Sequence, residues 1–412
     1  MANLFSRREF LGLSGATLGL VLTACGIAPT PTAIPTLANT HVPTDTPVPT
    51  NTTVPTQTST AMSTQTAKPS STLTVTATPH PPTLRELAEK RGFRIGTFWG
   101  GTNTTPEDFE RIATIVTREF SLAGIYQDMK LIQPRNGDFQ LTTLRGLANR
   151  AEKSGMDILM HPIIWTDAVP DWVKNGNFSR DGLIDVMNSH IATLMKQLMG
   201  KKVTYVVVNE AYKKDDIFER VIGKDYVDIA FQTARATDPS ATLLYNDFFN
   251  HTPSGIESGE RTALTQEIVQ RLKSKRLIDG VGVQGTIVDA TRPPAKRDVI
   301  QALRDYGLPI YVTEFSVNLR NVHGSQEERL AIQANLYKQM LEAAIESGVC
   351  GTFIVFQLVD KFSTWENFSS LPFFSLQAEP CPFNDNLQPK PAYFALRDVL
   401  SQEPTATATP TR

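Results

Sequence analysis

Two glutamates end runs that are otherwise apolar, Val206-Val207-Val208-Asn209-Glu210 and Tyr311-Val312-Thr313-Glu314. A β-branched run that stops at a carboxylate reads as a buried strand whose last side chain reaches a polar place. Other apolar runs stop in the same way, at Tyr126-Gln127, His161 with Trp165, Asn246-Asp247, Gln284, and Gln357 with Asp360. Two carboxyl groups across one cleft can cleave a glycosidic bond: a protonated one assists the leaving oxygen and an ionised one attacks the anomeric carbon. A separation of about 5–5.5 Å makes such a pair retaining. Glu210 is then the acid/base and Glu314 the nucleophile. Partial burial and the like charge of Glu314 are expected to raise the pKa of Glu210 until Glu314 becomes glycosylated. The competing reading pairs each glutamate with an arginine or lysine at a rim. Two such residues beside Asn209 and Gln284 favour catalysis.

The elements that must position them follow from the hydropathy pattern. From Leu84 onward, short apolar runs alternate with longer amphipathic ones, the rhythm of βα units around a parallel sheet. Strands are expected at Phe93–Trp99, Ala123–Gln127, Ile158–Trp165, Tyr205–Glu210, Leu243–Phe248, Gly280–Gly285, Ile310–Phe315 and Gly351–Leu358. Helices are expected at Pro106–Arg118, Asp181–Met199, Gln326–Glu346 and Pro391–Leu400. Eight such units imply an α/β fold of the (β/α)8 TIM-barrel type. Glu210 and Glu314 then end strands four and seven and face each other across the mouth. No G-x-G-x-x-G or P-loop string follows any of these strands, which argues against nucleotide binding.

These strings resemble glycoside hydrolase family 10, the xylanase family, from about Leu84 to Leu400. Val207-Val208-Asn209-Glu210-Ala211 is similar to its acid/base motif and Val312-Thr313-Glu314-Phe315 to its nucleophile strand. Tyr245-Asn246-Asp247-Phe248, Ile278 to Gln284, Val221 to Tyr226 and Gln388 to Tyr393 fit in order and spacing. The resemblance implies hydrolysis of internal β-1,4 linkages in a xylan-type polysaccharide by double displacement, without a cofactor. It also implies substrate contacts. Asn209 would hold the sugar 2-hydroxyl, with Asn246 beside it, and Lys130 the glycone hydroxyls. His161, Trp165 and Gln284 would line the subsite next to the scissile bond. Phe356 stands where the family usually has tryptophan, and Trp365 in the following loop is the candidate to stand in for it. Further departures are Tyr126, Gln127 and Leu131 on the glycone side, Thr166 and Thr286 in place of histidines, and Ser316 two residues past the nucleophile. They leave two other readings open: a retaining β-glycosidase of the same clan with altered specificity, and a surface glycan-binding protein without turnover.

The N-terminus reads as an address. Ser6-Arg7-Arg8-Glu9-Phe10-Leu11 precedes a short apolar run and resembles a twin-arginine export signal. Leu22-Thr23-Ala24-Cys25-Gly26 resembles a lipobox whose cysteine, Cys25, would be lipidated. Two acyl chains anchor stably at a membrane where one does not. The expected divisions are an export signal over 1–25, a disordered Thr/Pro-rich linker over 26–83, the barrel over 84–401 and a disordered tail over 402–412. The expected location is the outer face of the cell membrane, or outside the cell. With Cys25 consumed, Cys350 and Cys381 remain as a candidate disulfide in an oxidising compartment, the alternative being that Cys350 is a buried thiol. No Cys/His cluster has metal-ligand spacing, so no metal is expected. A net charge of −2 offers no field for nucleic acid.

Overall fold

Residues 81–99, 104–249, 258–364 and 377–403 are described by the computed structural model. In chain order they form α1 (Leu84–Lys90), β1 (Arg94–Phe98), α2 (Pro106–Glu119), β2 (Leu122–Tyr126), α3 (Met129–Ile132), α4 (Thr142–Lys153), β3 (Asp157–His161) and β4 (Ile164–Trp165). Then come α5 (Asp171–Lys174), α6 (Arg180–Lys196), β5 (Val203–Asn209), α7 (Ile217–Val221), α8 (Tyr226–Thr237), β6 (Thr242–Asp247) and α9 (Ser258–Ser274). The last are β7 (Gly280–Val283), α10 (Lys296–Asp305), β8 (Ile310–Phe315), α11 (Gln326–Ser347), β9 (Cys350–Val355) and α12 (Pro391–Ser401). Local chemistry accounts for several of the boundaries. Thr105 caps α2 ahead of Pro106 at the first turn, and Ser325 with Glu328 forms a reciprocal capping box on α11. Gly348, at φ 69°, ends α11 in the left-handed conformation that favours glycine.

All the strand pairings are parallel. They run β3-β2-β1-β9-β8-β7-β6-β5-β4, and a β3–β5 pairing closes the ring into a (β/α)8 barrel. The stretch expected as one strand over Ile158–Trp165 is two strands at one position in the barrel. β3 pairs low on β5 through Ile158–Met160, and β4 pairs high through Ile164 and Trp165. Pro162 lies between them with no N–H to give the ladder.

Strand alternation sorts the apolar side chains into two layers. The larger layer packs between strands and helices. The smaller, Phe98, Leu122, Leu159, Val206, Leu244, Tyr311 and Ile354, comes from seven different strands and fills the lumen, with Tyr126 and Phe356 at its upper edge. β7 contributes glycine instead: a Cβ on Gly280 would press on Tyr311 and Leu244, and one on Gly282 would collide with the side chain of Asn246.

Both strands that carry the two glutamates slip in register beside them. Along β5, Val206 pairs with Leu244 but Val208 with Tyr245, so Val207 is the extra residue. Val206 points into the lumen and Val207 and Val208 pack outward. Asn209 therefore turns inward, opposite Asn246. Along β8, Val312 pairs with Phe353 and Phe315 with Val355, again one residue too many on the catalytic strand. Bulges of this kind re-aim side chains beside active sites.

Cys350 and Cys381 are not bridged: both are buried thiols. Cys350 opens β9, whereas Cys381 donates its N–H to Asp360, beyond the far end of that strand. Six strand residues at roughly 3.3 Å each hold the two well beyond the ~7 Å Cα limit of a disulfide. Burial pushes the Cys350 thiol up to about 11. Added reductant should therefore leave the melting temperature of the folded protein unchanged, followed by circular dichroism, and both thiols should react with an aromatic disulfide reagent only after unfolding. Gly282→Ala, which overpacks the lumen, should cost about 1–3 kcal/mol of stability in denaturant titrations.

Candidate active site

Asn246 is the centre of the polar constellation. It is fully buried near the top of β6. Its Nδ2 donates to Asn209 Oδ1 at 2.8 Å and to Glu314 Oε1 at 2.9 Å, and its Oδ1 accepts from Thr313 Oγ1 at 2.7 Å. His161 Nε2, from the end of β3, lies 3.2 Å from the same Glu314 oxygen. Side chains from β6 and β3 thus meet the β8 carboxylate, both on Oε1, and β5 joins through Asn209 and Asn246.

Glu210 lies one residue past β5, and only 3% of it is exposed. Its φ of 51° is in the left-handed region, which costs a non-glycine residue about 1–2 kcal/mol. That turn folds the side chain back over the lumen. Gln284 Nε2 donates to Oε1 at 2.5 Å, while Trp165 Nε1 at 3.1 Å and the Lys213 ammonium at 2.8 Å share Oε2. The expectation of a raised Glu210 pKa is overturned. Burial does push this carboxyl up, but Lys213, Gln284 and Arg261 outweigh burial and hold it below its ordinary value. The rim-cation reading and the catalytic reading therefore apply to the same residue.

Both glutamates act on one neighbour. The Tyr126 phenol is pushed well above its usual value, first by burial, then by Asp128, and further by Glu314 and Glu210. Its hydroxyl donates to Asp128 Oδ2 at 2.9 Å. Fully buried His190, by contrast, is pushed down to about 4 by desolvation and packs away from the lumen against Phe139.

The other expected residues divide by position. Asn246 and His161 meet Glu314, Trp165 and Gln284 meet Glu210, and Asn209 joins them through Asn246. Phe356 packs edge-on against Phe98, ring centroids 5.5 Å apart, at the lumen edge. Lys130 lies on α3, just beyond Tyr126 and Asp128, where its charge helps hold the Asp128 carboxylate. Trp365 and Cys25 lie outside the described residues. Thr286 makes no contact with a carboxylate among the described residues; its hydroxyl donates to the backbone carbonyl of Glu314 at 2.7 Å. Three participants were not expected: Thr313, Lys213 and Arg261. Thr313 stands beside the nucleophile and was legible as its neighbour in the strand. Lys213 stands three residues past Glu210, and its only sequence signal was that spacing.

A family model, glycosyl hydrolase family 10, matches residues 83–399. The chain belongs to that family. Among its relatives is an endo-1,4-beta-xylanase A of Fusarium oxysporum f. sp. lycopersici, 30% identical over 287 residues, covering 66% of this chain and 84% of that one. An endo-1,4-beta-xylanase B of Thermotoga neapolitana is 26% identical over 330 residues, covering 78% and 92%. Among solved structures, native xylanase 10B of Thermotoga maritima superposes with a TM-score of 0.69 at 25% identity, covering 77% and 98%. As a family 10 member the protein is a glycoside hydrolase acting on O-glycosyl bonds. The expectation drawn from its strand motifs holds.

In this family 10 site, Glu314 is oriented by Asn246 and His161. Asn246→Ala should unseat Glu314, Asn209 and Thr313 together. Its kcat on a soluble oligosaccharide should fall by about 10²–10³-fold, with a much smaller change in KM, in steady-state assays.

Proposed function

We propose that the protein is a retaining, endo-acting β-1,4-xylanase. The observation that carries this reading is the pair of barrel-mouth glutamates, each held by its own donors and both acting on Tyr126. Glu314 Oε2 attacks the anomeric carbon as the glycosidic C–O bond breaks, while Oε1 stays with Asn246 and His161. Glu210 gives its proton to the departing oxygen. In the second step Glu210, now a carboxylate, takes a proton from water, whose oxygen displaces Glu314 and restores both residues. Asn209, tethered to Asn246, is placed to hold the 2-hydroxyl of the sugar at the reacting carbon. The indole of Trp165 offers an apolar face beside the acid/base, where a sugar ring can stack.

The xylan assignment rests on the relatives, whose names describe endo-1,4-beta-xylanases. Tyr126 and Leu131 on the glycone side keep one second reading in play, a related β-glycosidase with a shifted polysaccharide preference. Release of reducing ends from xylan, mannan and mixed-linkage glucan, assayed side by side, separates the two. We also propose that the protein is an exported lipoprotein held at the outer face of the membrane through Cys25. The twin arginines, the Leu22–Gly26 string and the Thr/Pro-rich stretch after it support that placement. Incorporation of labelled fatty acid that Cys25→Ala abolishes would establish it.

A 2-fluoro xylobioside with a good leaving group should label Glu314, located by peptide mass spectrometry; labelling elsewhere, or none, removes the retaining assignment. Glu210→Ala should lose about 10²–10⁴-fold in rate on xylan. It should lose far less on an aryl glycoside whose leaving group needs no proton, and azide, a nucleophile that needs no base, should restore turnover by displacing Glu314 from the anomeric carbon to give the glycosyl azide.

A further inference from the structure

The double-displacement scheme has no place for a cation on its proton donor, yet one sits there. Lys213 Nζ is 2.8 Å from Glu210 Oε2 and also bonds Asp167. Its charge lies over the rings of Trp165, at 5.9 Å, and Phe248, at 5.7 Å, and the side chain is 17% exposed. Both ends of this clamp are built in. Tyr212 N donates to Asp216 Oδ2, which also accepts from the Tyr226 hydroxyl, and this ties down the loop that carries Lys213. Thr166 accepts from Ile217 N, which ties down the loop that carries Asp167.

Three donors converge on Glu210, covering both of its oxygens, the pattern that suits a carboxylate and not a carboxylic acid. To act as an acid Glu210 must take a proton from solvent onto one oxygen, and a donor there must let go. Gln284 and Trp165 gain nothing by leaving. Lys213 has a second carboxylate within reach. We propose that Lys213 is a positioning residue: it clamps Glu210 as an ion pair in the free enzyme and passes to Asp167 when Glu210 takes up a proton, so that it sets the upper pH limit of glycosyl transfer. The ammonium keeps its protons throughout, and only Glu210 exchanges one with solvent, leaving group or water. The inference rests on the role given to Glu210 above.

The surrounding charges agree. Burial raises the Asp167 carboxyl and Lys213 brings it part of the way back, and the ammonium already touches both carboxylates, so it can leave Glu210 without losing Asp167. Burial would lower the Lys213 pKa, but Glu210 and Asp167 together raise it. Arg261, reaching in from α9, is another cation facing Glu210, and buried Asp247 of β6 neutralises it in a two-pronged pair. Asp216 adds negative charge near Asp167, and Glu314 faces the pocket from β8. Lys213 is thus the cation near Glu210 that can change partners.

The test is the pH dependence of kcat/KM on xylotetraose, whose leaving oxygen needs the proton of Glu210, for the full-length protein and for Lys213→Met, Lys213→Gln, Lys213→Arg and Asp167→Asn, each checked for folding by circular dichroism. The basic limb reports the proton on the acid/base, and the acid limb reports the nucleophile. Both neutral variants should move the basic limb to higher pH and leave the acid limb where it was. At the pH where the parent keeps half its maximum, they should keep nearly all of theirs. Lys213→Arg should restore the parent profile. Asp167→Asn should move the basic limb to lower pH, because the ammonium then has Glu210 alone. An unmoved basic limb in the neutral variants, or both limbs moving together, overturns the clamp. The Glu210 carboxyl carbon, assigned by its loss in Glu210→Gln and titrated by 13C NMR without substrate, gives a second readout. If it titrates higher in Lys213→Met while the parent turns over no xyloside, the clamp stands and the glycosidase role fails. Turnover with no change in that titration is the reverse.

Discussion

A carboxylate taken out of water survives only where donors replace the water it has lost, and this barrel shelters two of them in one lumen. Much of the polar upper layer answers that demand. Asn246 and His161 converge on Glu314; Gln284, Trp165 and Lys213 converge on Glu210. Each donor comes from a different strand or the loop beyond it, so the site exists only when the ring is closed. The donors are also preorganised: Asn246 is locked by Thr313 on one side and Asn209 on the other. A nucleophile held in this way needs no reordering when charge moves off it in the transition state.

The scaffold beneath is arranged so that these groups fit. Seven strands each send one apolar side chain into the lumen, which makes a solid floor. β7 gives up side chains altogether, and Gly282 leaves the space that Asn246 occupies. The slips along β5 and β8 convert a simple in–out alternation into one in which Asn209 and Glu314 can both serve the pocket. The left-handed backbone at Glu210 is tolerated because the carboxylate gains three donors at its far end.

Two arrangements set the states of the two glutamates. With Thr286 where a histidine is usual, the imidazole on the nucleophile comes from His161, and Thr286 turns to the backbone of the same strand. Asp167 and Lys213 form the second, an ion pair laid across the acid/base. The first preserves the orientation of Glu314. The second changes the charge state in which Glu210 waits for substrate.

Much of the fold was legible in the residues. Continuous β-branched runs such as Val206–Val208 belong to strands covered on both faces, and the helix starts at Pro106 and Pro391 followed from a proline at the first turn. The ends of those runs named both glutamates, because a carboxylate that stops an apolar strand has few places to go but the mouth of the barrel. What spacing could not carry was phase and charge. The extra residue in β5 decides whether Asn209 faces the lumen, and only pairing with β6 reveals it. The break at Pro162 depends on which partner each half of the stretch finds. Cys350 and Cys381 make a plausible pair by count, yet stand at opposite ends of one strand. The protonation of Glu210 was misjudged for the same reason. A pKa is set by the charges that folding brings within a few ångströms, and the ammonium that lowers this one is aimed by a loop whose course the tertiary structure alone determines.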